Sequence, residues 1–174
     1  MSVLRCIVLI AIVFLVAGCA TRSSVSDGTR IPPGHGLLVL SIQTEIPSGQ
    51  LQFKKFASVQ TSKDALNEYF LGPDGSLLFK KGTAYWVRPI PAGKYMWSRV
   101  DLYPRFALFH GSNTFTIEPG AMTYVGHLSV SDIDGYANVE VRDSEADMVS
   151  YLSKNYPTYV SAMQIKKSIT HFMR

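Results

Sequence analysis

Between residues 37 and 142 the chain is cut into short runs rich in β-branched and aromatic residues, each closed by a cluster of Pro, Gly, Asp or Asn. Runs of that length are too short for ordinary helices and suit strands of about four to eight residues. LLVLSIQT at 37–44 is apolar on both alternations, the pattern of a strand buried on both faces. LQFKKFASV at 51–59 is ambiguous, and GPDGS at 72–76 reads as a turn in which Pro73 presets φ and Gly75 takes a positive one. SLLFKK, TAYWVRPI and KYMWSRVDLY follow, and Pro91-Ala92-Gly93 between the last two predicts a β-hairpin. After FALFH and NTFTI, Glu118-Pro119-Gly120 turns the chain into MTYVGHLSV. Period-2 alternation there places Met122, Tyr124, Gly126, Leu128 and Val130 on one face, and Thr123, Val125, His127 and Ser129 on the other. In YANVEVRD, Ala137, Val139 and Val141 point inward while Asn138, Glu140 and Arg142 point out. The expected fold is mainly β: an antiparallel β-sandwich of about seven to nine strands with a C-terminal helix.

That helix is predicted over 145–154. Ser144 stands as N-cap, Asp147 falls in a capping-box position, and Met148, Tyr151 and Leu152 share a face that would lie across one end or face of the sandwich. Pro157 stops it. The remainder, YVSAMQIKKSITHFMR, fits either a short helix through Ala162, Ile165, Ile169 and Phe172 or a frayed basic tail.

Ahead of the β-rich part, Arg5 precedes an unbroken apolar run from Cys6 to Val16 that narrows to Ala17 and Gly18 before Cys19. Thr21 and Arg22 end the apolar stretch short of the roughly 20 residues a membrane-spanning helix needs, so the outline is that of a cleaved leader. Val16-Ala17-Gly18-Cys19 resembles the lipobox of bacterial lipoproteins, with Val16 where Leu is commonest. The resemblance implies diacylglycerol on the Cys19 thiol, cleavage just before that residue, and acylation of the freed amine. Two or three acyl chains give stable anchoring where one would be marginal. Ala20, where the resemblance would require Asp for inner-membrane retention, favours the outer membrane. Residues 20–36 are small, polar, Gly and Pro, and read as a flexible tether reaching a couple of nanometres. The expected division is a signal peptide at 1–18, a lipidated N-terminus and tether at 19–36, the sandwich at 37–143, and a helix and basic tail at 144–174.

Cleavage at that point removes Cys6 with the leader, and lipid consumes Cys19, the only other cysteine. The body therefore has no thiol for a disulfide, a metal or a nucleophile, and its stability rests on packing. It also loses Arg5 from 17 basic residues and none of 13 acidic ones, leaving about plus three. Lys54-Lys55, Lys80-Lys81 and Lys166-Lys167 are scattered pairs that suit solvated surface, and no nucleic-acid partner is expected. A second resemblance rests on IPAGKY at 90–95 and FTIEPGAMTYVGHLSV at 115–130. These segments resemble uncharacterised bacterial lipoprotein domains similar in outline to the transthyretin and carboxypeptidase-regulatory β-sandwiches. About a quarter of the chain is covered, and turn and core residues of this kind imply a fold and no activity.

No Gly-x-Ser-x-Gly elbow occurs, and the histidines at 35, 110, 127 and 171 stand singly without metal-ligand spacing. His127 is read as a surface or hydrogen-bonded structural residue. SDIDGY at 131–136 places Asp132 and Asp134 like the middle of a calcium loop, but Val130 and Val141 occupy terminal ligand positions, so a tight turn is expected. No catalytic residue, metal or cofactor is therefore assigned. The binding candidates are Tyr85, Trp86, Tyr95 and Trp97, crowded with Tyr103 on two neighbouring strands; facing away from the core they would form a platform for a glycan or protein. The functional expectation is a non-catalytic, lipid-anchored envelope module with a protein or glycan partner. The alternatives are an immunity-type inhibitor of a periplasmic toxin, and an envelope enzyme whose site assembles from distant residues, marked by His110, His127 and acids around one cleft.

Overall fold

A computed structural model of the chain describes residues 24–56, 73–109 and 113–170. Its elements are β1 (His35–Lys55), β2 (Gly75–Pro91), β3 (Gly93–Leu102), β4 (Arg105–Leu108), β5 (Thr114–Ile117), β6 (Met122–Ile133), β7 (Tyr136–Arg142), α1 (Glu145–Asn155), α2 (Pro157–Ala162) and β8 (Ile165–Lys167). The protein is mainly β with a short C-terminal helix, as expected. All eight strands belong to one mixed sheet in the order β4-β3-β1-β6-β7, with β2 on β1, β5 on β3 and β8 on β6. The expectation of an antiparallel sandwich is corrected on this point, because β1 runs parallel to β6 and β6 parallel to β8. The parallel pair follows from where β6 begins. The Gly120 N–H donates to His35 O at 2.9 Å and the Leu37 N–H to Ala121 O at 2.9 Å, so both strands start at the same end.

β1 organises everything else. Its first half pairs with β2 and β6, its second half with β2 and β3. Leu38, Leu40 and Ile42 face the main core from the first half, and Leu51 and Phe53 face it from the second. The register with β2 slips between Thr44 and Ser48, where the strand bends and its core-facing parity changes. The bend brings the two ends of β1 together: the Ala92 N–H donates to Gly34 O at 2.8 Å at the start, and Tyr95 pairs with Lys55 at the finish. The hairpin predicted at Pro91-Ala92-Gly93 is therefore absent. β2 and β3 flank β1 instead of pairing, because the link steps from one end of the bent strand to the other.

The sheet curls around Trp97, Phe53, Phe115, Tyr95, Trp86 and the aliphatic residues packed with them. Phe53 meets Tyr95, Trp97 and Phe115 edge-on at 5.7, 5.8 and 6.0 Å between centroids. Such edge contacts add to the burial term. Gly75 carries no positive φ, contrary to the turn reading; a Cβ there would sit 2.3 Å from Phe53 Cζ, so close approach is what its small size permits.

On the opposite face, Leu37, Val39, Val87, Met122 and Tyr124 are covered by Met148 and Leu152 of α1 and by Tyr156 and Tyr159. The first half of β1 is thus buried on both faces, as its sequence predicts. The helix falls where expected, but Ser144 makes no side-chain cap; Asp143 Oδ1 accepts the Glu145 N–H at 3.2 Å and Tyr124 Oη accepts the Ser144 N–H at 2.9 Å. Pro157 ends α1 and opens α2.

Both readings of the tail are replaced. Residues 165–167 pair with Met122–Tyr124, and the Trp97 indole N–H donates to Thr170 Oγ1 at 3.3 Å, with Thr170 buried. Phe172 lies outside the described residues. The segment expected as a tether over 20–36 belongs to the body from Ser24 onward, and residues 20–23 lie outside the described residues. Val25 and Ile31 pack beneath the helices, the Val25 N–H donates to Val87 O at 2.8 Å, and Asp27 accepts the Thr158 and Tyr159 N–H groups at 3.0 and 3.2 Å.

On β6 the predicted faces hold only as far as Gly126. Met122 and Tyr124 face the helices, whereas Val125, Leu128 and Val130 face the main core. The register with β1 slips between Val39/Tyr124 and Ser41/His127, and Gly126 takes φ +118° in this bulge. β7 alternates as predicted, with Val139 buried and Ala137 and Val141 against the core.

Candidate functional site

The aromatic residues that would have formed a platform had they faced outward are not at the surface. Trp97, Tyr95 and Trp86 are 0%, 2% and 5% exposed and belong to the main core. The Tyr95 hydroxyl donates to Pro91 O at 2.7 Å. Tyr85 is half-buried and stacks on Tyr151 of α1 at 3.9 Å between centroids, tying helix to sheet. The bends of β1 and β2 turn these rings inward, which simple alternation along each strand does not reveal.

Exposed large apolar side chains lie elsewhere. Tyr103, Phe106, Ile133 and Tyr136 are 73%, 56%, 54% and 78% exposed. They gather at two neighbouring connections beside the bend of β1: Tyr103 in the β3–β4 link, Phe106 in β4 just beyond it, and Ile133 and Tyr136 flanking the β6–β7 turn. The β6–β7 turn is held by Asp134 at φ 51° and Gly135 at φ 87°, the two positive values of a type I′ hairpin. This is the tight turn expected for SDIDGY. Asp132 Oδ1 accepts the Gly135 N–H at 2.9 Å, and its other oxygen accepts from the Arg105 guanidinium, which bridges the two turns. Behind them Arg99 stacks over Phe106 at 4.1 Å and donates through Nε to Asp101 at 2.5 Å, while Gln52 Nε2 donates to the same buried carboxylate at 2.6 Å.

These elements enclose a cleft of about 510 Å³ lined by Glu45, Ile46, Pro47, Ser48, Leu102, Tyr103, Arg105, Ser131 and Asp132. A smaller hollow of about 80 Å³ lies between β4 and β7, walled by Phe106, Ala107, Tyr136 and Ala137. Leu102 and Arg105 line both. The larger cleft is edged by the β1 bend, where the Ile46 N–H donates to Thr44 Oγ1 at 3.0 Å and Glu45 meets Lys81 at 2.9 Å. The arrangement offers flat ring faces beside fixed hydrogen-bond donors and acceptors, which is the chemistry of binding. Phe106, Ile133 and Tyr136 are not marked as binding candidates by the sequence; the signal for them is large apolar residues next to turns, where polar ones are usual.

His127 makes a separate polar line on the face beyond α1. Its Nδ1 is 2.8 Å from Ser41 Oγ and its Nε2 is 3.1 Å from Gln43 Oε1. An Nε2–H tautomer donates to Gln43 and accepts from the Ser41 hydroxyl, the hydrogen-bonded structural role expected. Burial, then the Arg142 guanidinium, hold the imidazole pKa below its ordinary value, against an opposing pull from Asp147. Ser41 is only 3% exposed, in mid-strand. His35 Nδ1 lies 3.1 Å from Pro33 O. His110, His171 and Cys19 lie outside the described residues. Among the described residues no group of three or more His, Cys, Asp or Glu is placed to hold a metal, and no helix is long and apolar enough to cross a membrane. No protein family, no curated protein and no solved structure matches the chain.

Proposed function

We propose that this chain is a lipid-anchored protein of the bacterial cell envelope, attached through Cys19 to the outer membrane, and that its body is a non-catalytic module binding an envelope partner at the cleft beside Arg105. The observation that carries the binding assignment is the gathering of exposed Tyr103, Phe106, Ile133 and Tyr136 around two adjoining hollows, with Tyr103 on the larger and Phe106 and Tyr136 on the smaller. Isolated exposed apolar residues need no explanation, whereas a cluster rimmed by polar groups marks a contact surface. The anchor rests on Val16-Ala17-Gly18-Cys19 and the apolar run before it. The likeness to transthyretin-type lipoprotein sandwiches belongs to the same reading, and its two segments supply Ile90, Tyr95, Phe115, Ile117, Val125, Leu128 and Val130 to the enclosed core.

Metabolic labelling with palmitate, followed by membrane fractionation, tests the anchor. The native chain incorporates label and sediments with membranes; Cys19→Ser abolishes both. A photo-crosslinking residue at position 136 tests the contact surface in cells. It yields a partner adduct that is lost when Tyr103→Ala and Phe106→Ala are introduced together, while an adduct indifferent to those changes removes the binding assignment.

A further inference from the structure

The charged residues lining the two clefts already have partners: Glu45 is paired with Lys81, and Arg105 with Asp132. A charged ligand would find each counter-charge already shared, whereas an uncharged ligand rich in hydroxyl groups can use the paired groups as they stand. A carboxylate oxygen in an ion pair still accepts from a hydroxyl, and a guanidinium has five N–H donors, of which Asp132 takes a minority. Tyr103 and Tyr136, both more than two-thirds exposed, offer ring faces against which the C–H faces of pyranose rings can pack.

The shape suits a chain. Arg105 and Leu102 wall both the larger cleft and the smaller hollow, so the two lie side by side and a linear ligand seated in both would cross Arg105 between Tyr103 and the side of Phe106 and Tyr136. A peptide adding itself as a strand between β4 and β7 has no room where the two come close: an intervening strand needs about 4.8 Å on each side, and residues of β4 and β7 approach within 8 Å between Cα atoms, with Arg105 and Asp132 joined nearby. Recognition at that point passes through side chains.

From paired charges, exposed rings and two adjoining hollows we infer that the cleft binds a neutral oligosaccharide, a polysaccharide strand of the envelope being its source. This inference rests on the binding assignment made above and narrows it to one ligand class.

Calorimetric titration of the detergent-solubilised full-length protein tests it, with chitotetraose, cellotetraose and maltotetraose as neutral probes and tetralysine and tetraglutamate as charged ones. At least one neutral tetrasaccharide binds saturably, with an affinity that changes little between low and high salt, since no net charge is neutralised. Tyr103→Ala and Tyr136→Ala each weaken it about tenfold, the change that about 1.4 kcal/mol produces. Both residues are exposed enough for the fold to tolerate the change, which an unaltered urea midpoint verifies. Absence of binding to all three neutral probes, binding that both tyrosine variants leave intact, or saturable binding of the charged peptides alone overturns the inference. The crosslink from position 136 separates this failure from that of the broader assignment. A protein adduct without saccharide binding removes the sugar and keeps the contact surface, while neither adduct nor saccharide binding removes both.

Discussion

Gly126 is the residue whose replacement reads out most directly how the sheet is built. A Cβ at this position would lie 2.4 Å from Val141 Cγ1 and 3.4 Å from Arg142 O, and the backbone holds φ +118°. Gly126→Ala therefore meets two separable penalties. Holding alanine in a backbone region that L-residues rarely occupy costs about 1–3 kcal/mol. Pushing a methyl into a packed core costs about 1–3 kcal/mol more. The sum, about 2–6 kcal/mol, is a large part of the 5–15 kcal/mol typical of whole domains. Val141→Ala alone removes two methylene-sized groups from a half-buried site and costs about 1 kcal/mol. In the double variant the overlap disappears while the backbone penalty stays, so the pair is more stable than the summed single effects by about 1–3 kcal/mol. Urea unfolding followed by circular dichroism gives all four corners of this cycle. Strict additivity, or a Gly126→Ala effect below about 0.5 kcal/mol, would show that β6 passes position 126 without the bulge and that the account of its parity change is wrong.

Three further outcomes are expected. Because the folded pKa of His127 lies below its unfolded value, stability linked to the neutral ring is whole above about pH 6.5 and declines as the pH falls below that; the drop in urea midpoint between pH 7.5 and pH 5.5 should shrink in His127→Gln, and an unchanged drop refutes the linkage. A chain ending at Ala162 lacks the strand that pairs with Met122–Tyr124 and the hydroxyl that accepts from Trp97, so its tryptophan emission shifts to the red and its urea midpoint falls; native emission would contradict the packing of the tail. Asp27→Ala releases the segment laid over α2, and trypsin should cut after exposed Arg30 at least several-fold faster, a rate unchanged from the native chain counting against that attachment.

The parts of the fold that could be read beforehand are those governed by neighbours in sequence. Alternation in YANVEVRD, the Asp134-Gly135 turn and the Met148, Tyr151, Leu152 stripe are all set within a few residues, and each lies where its pattern places it. What escaped depends on contacts between distant segments. Nothing local in LLVLSIQT states that β6 will run beside it in parallel, and nothing local around Thr44 or Gly126 states that the facing parity will change there. The same dependence on distant contacts left the direction of Trp86, Trp97 and Tyr95 open, since their alternation is legible but their inward course depends on how β1 bends. It also produced the false hairpin at Pro91-Ala92-Gly93, where genuine turn chemistry joins strands that a third strand keeps apart. The exposed apolar residues at the clefts are visible in the sequence only as large side chains beside turns, and Pro104 marks Tyr103 as lying at the end of its strand.

The attachment of Ser24, Val25 and Asp27 to the folded body has a mechanical consequence. In a chain acylated at Cys19, only residues 20–23 separate the lipid from the first anchored backbone group, so five Cα steps of at most about 3.6 Å set a ceiling of roughly 18 Å on the leash. A body so moored would be unable to roam the compartment beneath the bilayer; it would be confined to a thin layer against the membrane and would meet only partners that come to that layer.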